Sequence, residues 1–128
     1  MATSVTQMIE AADAVVPRIT PQVAQELMTT GDVLVVDVRD APEVAREGKV
    51  AGAINISRGL LEFRADPASA SHDPQFRTDR PVIVYCASGG RSALGGKALK
   101  ELGFETVYNL GGFKAWAEAG GPVDQPTA

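Results

Sequence analysis

Cys86 is the only cysteine in this 128-residue chain, and the residues around it are of types that ionise a thiol. Val82 to Tyr85 are β-branched or aromatic and read as a strand that delivers Cys86. Ala87, Ser88, Gly89, Gly90 and Arg91 follow as a tight loop, and a helical pattern begins at Ser92. A thiol facing a helix N-terminus meets unsatisfied N–H donors and the positive end of the helix dipole, and both favour the anion. A free cysteine titrates near pH ~8.5; lowering that to about 6.5 makes most of it a thiolate at neutrality. The chemistry on offer is nucleophilic attack by sulfur. A lone cysteine at a strand end is more often a buried, inert packing residue. Two glycines and an arginine within the next five residues point instead to a reactive loop.

The rest of the composition narrows the classes of function. One Cys and one His exclude a four-ligand structural zinc site, an internal disulfide and a CxxC redox pair. Any redox or nucleophilic chemistry therefore uses Cys86 alone. A net charge of -4 argues against nucleic acid as a partner. An anionic substrate would need local positive charge, which Arg91 and the loop amides can supply. The stretch from Gly90 to Lys97 is not a P-loop, which would need Gly where Arg91 stands and Ser or Thr where Ala98 stands. No apolar run approaches a membrane span, and the first residues lack the basic start and apolar stretch of a secretory signal, so no membrane association and a cytoplasmic location are expected.

These residues need a scaffold. The length suits one domain. Ser4 to Val16 carries a modest helical stripe closed by Pro17, and residues 1–18 are read as an N-terminal helical extension laid on the domain. Thr20-Pro21 is an N-cap with proline at the first helical position, opening a helix that stops near Gly31. Asp32 to Val38 is a continuous apolar strand of the kind covered on both faces in parallel sheets. Asp40 opens a short helix through Glu47; Val50 to Ile56 is a turn leading into a short strand, and Ser57 to Phe63 a helical turn. Residues 64–80 are polar and irregular, functional or mobile, with His72 read as a solvated loop histidine. After the Cys86 loop, the helix is expected to end at Gly103. Thr106 to Leu110 is a last strand, Gly111-Gly112 a turn, and Phe113 to Ala119 a final helix with Trp116 in the core. Strand and helix alternate, which predicts an α/β domain of three layers around a central, mostly parallel sheet, spanning 19–123, with residues 124–128 a disordered tail.

At this point the chain resembles a rhodanese domain. Val36-Asp37-Val38-Arg39, Glu43, Gly48 and Gly52-Ala53-Ile54-Asn55-Ile56 are similar to that family's first signature. Tyr85-Cys86 to Arg91-Ser92 are similar to its active-site loop. Leu110-Gly111-Gly112, Phe113, Trp116, Gly121 and Pro122-Val123 are similar to its closing signature. One departure stands in the first signature, where Gly48-Lys49-Val50 replaces the usual Gly-His-Ile; that histidine is structural in such domains. The resemblance implies a sulfurtransferase without metal or organic cofactor. Cys86 takes the outer sulfur of thiosulfate or a related donor, holds it as a persulfide, and gives it to an acceptor such as cyanide or a thiol. A protein donor or acceptor would serve equally.

The loop residues Ala87, Ser88, Gly89, Gly90, Arg91 and Ser92 are the expected persulfide cradle, with Gly90 the position where a β-branched residue would clog it. Each companion has a plainer role. Arg91 is as well suited to an ion pair with Asp37 as to substrate, Arg39 and Glu43 are spaced to bridge on a helix start, and Ser88 to bond its own backbone. Ser92 fits an N-cap as well as a substrate ligand. Asp37 and Arg39 are supporting candidates. Two rival functions stand beside transfer. One is a relay or binding module carrying persulfide sulfur between partner proteins. The other is a Cys-based phosphatase or arsenate reductase, for which the related phosphatase loop places five residues between Cys and Arg; here there are four.

Overall fold

The computed structural model describes residues 2–126. Four strands, β1 (Leu34–Asp37), β3 (Ile54–Asn55), β4 (Val82–Cys86) and β5 (Val107–Gly112), form one parallel sheet in the order β3-β1-β4-β5. β2 (Lys49–Val50) pairs separately and antiparallel with β6 (Val123–Asp124). The expected α/β architecture with a mostly parallel sheet between helices is what the chain adopts. All five residues of β4 are buried, because the sheet is covered on both faces. Side chains alternate across it. Val82, Val84 and Cys86 join one core with Leu99 of α5 (Gly90–Glu101), Leu61 of α4 (Leu61–Ala65), and Val16. Ile83 and Tyr85 join the other core with Ala24 of α2 (Pro21–Thr30) and with Phe113 and Trp116 of α6 (Phe113–Glu118). Strand alternation thus puts the sulfur on the α5 side of the sheet.

Local chemistry accounts for the ends of the elements. Thr20 Oγ1 accepts the Val23 N–H at 3.2 Å and caps α2, with Pro21 first in the helix. α1 (Val5–Asp13) is capped by Ser4, whose Oγ accepts the Gln7 N–H at 3.1 Å; this helix packs on α5 through buried Ala12 and the adjoining Val16. α3 (Ala41–Glu47) starts after Asp40 and stops at Gly48 (φ +83°).

Several expectations are corrected. α5 begins at Gly90 rather than Ser92, and the residue before it, Gly89, has φ +105°. Gly111 and Gly112 belong to β5, which shifts register beside Val84 and Tyr85, instead of forming a turn. Asp124, expected in a disordered tail, lies in β6, and its carboxylate accepts from Lys49 Nζ at 2.9 Å and the Gly52 N–H at 3.0 Å. Residues 127 and 128 of that tail lie outside the described residues. The 64–80 segment is pinned: Phe76 is buried, Arg80 reaches Asp32 at 3.0 Å and the Val33 carbonyl at 3.4 Å. His72 is half-buried rather than solvated, with Nε2 3.1 Å from the Phe76 carbonyl oxygen.

Candidate active site

The end of β4 and the start of α5 place Cys86 at the bottom of a bowl made by residues 87–92. Cys86 is 1% exposed, while Ala87 and Ser88 form the exposed rim. Sγ accepts the Gly89 N–H at 3.0 Å and lies 3.4 Å from Ser92 Oγ. Burial by itself pushes the thiol pKa up and is the largest single influence. The Ser92 hydroxyl and the N–H groups of Ser92, Gly89 and Ser88 act the other way, and together they hold the thiol below its ordinary value. The hydroxyl contributes only when its proton points at sulfur.

The bowl keeps its shape because two glycines sit where side chains would not fit. Gly89 occupies the left-handed region, and a Cβ there would lie 2.6 Å from Arg18 Nη1. A Cβ on Gly112 would come within 2.5 Å of the Ala87 carbonyl oxygen, so β5 presses directly on the loop. Gly90, the glycine singled out by the sequence, is unremarkable: its φ is not positive and a Cβ would meet only Ile9 at 3.5 Å.

Arg91 does not pair with Asp37. Its Nη1 and Nη2 donate to the two carboxylate oxygens of Glu43 at 2.8 and 2.9 Å, a bidentate bridge from α5 to α3. Glu43 also accepts the Asp40 N–H at 2.9 Å. Arg91, followed by burial, which opposes it, and Asp40, sets the Glu43 carboxyl at about 2. Arg39 does not bridge to Glu43 either. Fully buried, it donates to Asp37 at 2.7 and 3.0 Å, to Glu47 at 2.9 Å and to the Gly48 carbonyl at 2.7 Å, and stacks 4.5 Å above the Phe113 ring. Tyr85 donates its hydroxyl proton to Asp37 at 2.6 Å. Tyr85 and Asp37 point away from the Cys86 face, so Asp37 and Arg39 buttress the sheet from beneath and make no hydrogen bond to the sulfur.

Ser92 is not an N-cap. It is buried at the third position of α5, and its hydroxyl donates to Asn109 Oδ1 at 2.8 Å. The sequence reading passed over Asn109, a buried polar residue in β5 whose Nδ2 donates to the Gly89 carbonyl at 3.1 Å. A polar residue interrupting an otherwise apolar strand was the signal. Arg18 is the other omission: Nη2 donates to the same carbonyl at 3.5 Å while Nε pairs with Asp13 at 3.1 Å. No group of three potential metal ligands gathers among the described residues, and none of the described helices is long and apolar enough to cross a membrane.

Comparison with known proteins agrees with this geometry. A family model described as a rhodanese-like domain matches residues 20–119. A protein named sulfurtransferase from Allochromatium vinosum is 37% identical over 104 residues, 80% of this chain and 89% of that protein. Thiosulfate sulfurtransferase GlpE of Coxiella burnetii is 34% identical over 94 residues, 73% of this chain and 79% of its own length. Among solved structures, a Rhodopseudomonas palustris protein of unknown function, described as a "Possible Tyrosine Phosphatase", superposes with a TM-score of 0.89 at 36% identity, covering 97% of this chain and 96% of that one.

Proposed function

We propose, on the premise that this chain belongs to the rhodanese-like domain family, that it moves sulfane sulfur from an anionic donor to a thiophilic acceptor through a persulfide on Cys86. Relatives named as sulfurtransferases support a rhodanese-type transferase activity. The finer reading, thiosulfate or a related donor with a cyanide or thiol acceptor, rests on the bowl. Its carrying observation is a buried sulfur that accepts main-chain N–H groups at the start of a helix.

The steps balance. The Cys86 thiolate attacks the outer sulfur of thiosulfate; a new S–S bond forms, the S–S bond to the sulfonate breaks, and sulfite leaves with the electron pair of that bond. Cys86 now holds one extra sulfur that carries the negative charge. Gly90 and Arg91 are the first residues of α5, where N–H groups have no intrahelical acceptor, and we assign that charge to them. A nucleophilic acceptor then attacks the outer sulfur and the Cys86 thiolate departs. Two half-reactions through one covalent intermediate give ping-pong kinetics.

Two observations weigh against the phosphatase rival. Four residues separate Cys86 from Arg91, and the Arg91 guanidinium is already engaged with both oxygens of Glu43. Intact mass after incubation with thiosulfate is expected to rise by about one sulfur atom, and Cys86→Ser to remove the gain. Sulfur uptake from a persulfidated protein alone would favour the relay reading. Release of phosphate from an aryl phosphate would replace the transferase reading with a phosphatase.

A further inference from the structure

The hydroxyl of Ser92 has one proton and two groups that compete for it. Oγ lies 2.8 Å from Asn109 Oδ1 and 3.4 Å from Cys86 Sγ, and all three residues are buried. The Asn109 amide has only one workable orientation. Nδ2 donates to the Gly89 carbonyl at 3.1 Å, and Oδ1 accepts the Gly111 N–H at 2.9 Å. Flipping it would set acceptor against acceptor and donor against donor. Its main chain is held as well, the N–H donating to the Pro17 carbonyl at 2.9 Å and the carbonyl accepting from Ile19 at 3.0 Å. Oδ1 can therefore only accept, and the 2.8 Å contact takes the Ser92 proton. What Ser92 then presents to Cys86 is a lone pair.

We propose that Asn109 is a positioning residue which, by holding the only hydroxyl proton of Ser92, keeps Ser92 an acceptor toward Cys86 at rest and so sets how readily the nucleophile ionises. As an acceptor, Ser92 receives a hydrogen bond from the S–H and favours the neutral thiol. When the thiol proton departs to solvent, the Ser92 hydroxyl stays on Asn109 Oδ1, which also keeps the Gly111 N–H, and the thiolate is left to its main-chain donors. No covalent bond in Ser92 or Asn109 breaks. The arrangement has a chemical use, because the nucleophilicity of a thiolate falls as its pKa falls. The N–H groups of Ser88, Gly89 and Ser92 favour the thiolate, and withholding a fourth donor leaves that thiolate more nucleophilic. Once the sulfur has been transferred, the charge sits on the outer atom, the inner sulfur needs no hydroxyl, and the proton remains on Asn109.

The charged groups near Cys86 are Arg91 on α5, whose charge acts on the sulfur, with Glu43 and Asp40 behind it from α3 and its cap, and Arg18, which pairs with Asp13 and reaches the Gly89 carbonyl that Asn109 also bonds. Arg91, Glu43 and Asp40 make no hydrogen bond to Asn109, and the Ser92→Ala background controls for any change at the Gly89 carbonyl that Arg18 shares with Asn109.

The inference rests on Cys86 being the nucleophile, but its readout is the pH profile of Cys86 alkylation by iodoacetamide, which uses no sulfur donor. A wrong proton assignment and a failed transferase reading are therefore distinguishable. Ser92→Ala is expected to move the acid dissociation constant by less than about threefold, since its proton is spent on Asn109. Asn109→Leu frees the hydroxyl for sulfur and is expected to raise that constant by about tenfold, the scale of one hydrogen bond to a charged group. In a Ser92→Ala background the same Leu substitution should add nothing. Asn109→Asp, which holds the proton more tightly and adds negative charge, should lower the constant. If Asn109→Leu does not fold, Ser92→Ala decides alone: a tenfold fall in the constant would mean that Ser92 already donates to sulfur, and the proposal is overturned. A Leu effect that persists without Ser92 would also overturn it.

Discussion

At the scale of single residues, the site depends on main-chain donors more than on charged side chains. The two arginines that look most like anion ligands are both engaged elsewhere, Arg91 with Glu43 and Arg39 with Asp37, Glu47 and the Gly48 carbonyl. The amides converge because Gly89 adopts φ +105°, a conformation that costs most L-residues about 1–2 kcal/mol. Gly89→Ala should therefore lower stability by about that amount and slow Cys86 alkylation. Gly90→Ala, placed in a helix with only Ile9 nearby, should hold or raise the melting temperature. Thermal melts of the two variants, with alkylation rates for Gly89→Ala, test this; the reverse ordering would move the strained position to Gly90.

At the scale of elements, the bowl is closed by contacts between pieces distant in sequence. β5 reaches it through Asn109 and through the close approach of Gly112 to Ala87. α3 reaches it through Glu43, whose carboxyl is set at about 2 in the folded chain by Arg91 first, burial opposing, and Asp40. Because that folded pKa lies below the unfolded value near 4.5, the pair's stabilisation is fully present above pH ~4.5 and is lost as the pH falls through about 2. Urea unfolding across this window should show stability falling with acid, and Glu43→Gln should flatten the fall. An equal slope in the variant would mean that the α3 to α5 bridge contributes no stability of its own. Both partners are partly exposed, so salt should weaken the contribution.

At the scale of the whole molecule, the N-terminal segment is part of the active-site support. Val16 fills the core beside Gly96, Pro17 and Ile19 hydrogen-bond the main chain of Asn109, and Arg18 reaches the Gly89 carbonyl. Removing residues 1–16 should cost about 2–4 kcal/mol, roughly the burial of Val16 and its neighbours. It should also speed hydrogen exchange in the 87–92 loop; a truncated chain with unchanged exchange would make α1 a mere appendage. The comparison of sequence with structure divides along the same line. Strand, loop and helix around Cys86, the caps at Thr20 and Asp40, and the parallel sheet were legible because each is a local pattern of residue type and spacing. The position of the lone cysteine, at a strand end facing main-chain donors, was legible for the same reason. Tertiary structure alone decided that Arg91 pairs with Glu43, 48 residues away, that Asn109 governs Ser92, that Gly89 rather than Gly90 carries the strained backbone, and that Asp124 belongs to a strand. Charge partners and close approaches depend on which strands become neighbours, and in a parallel sheet that order is set by long crossovers that bring distant residues together.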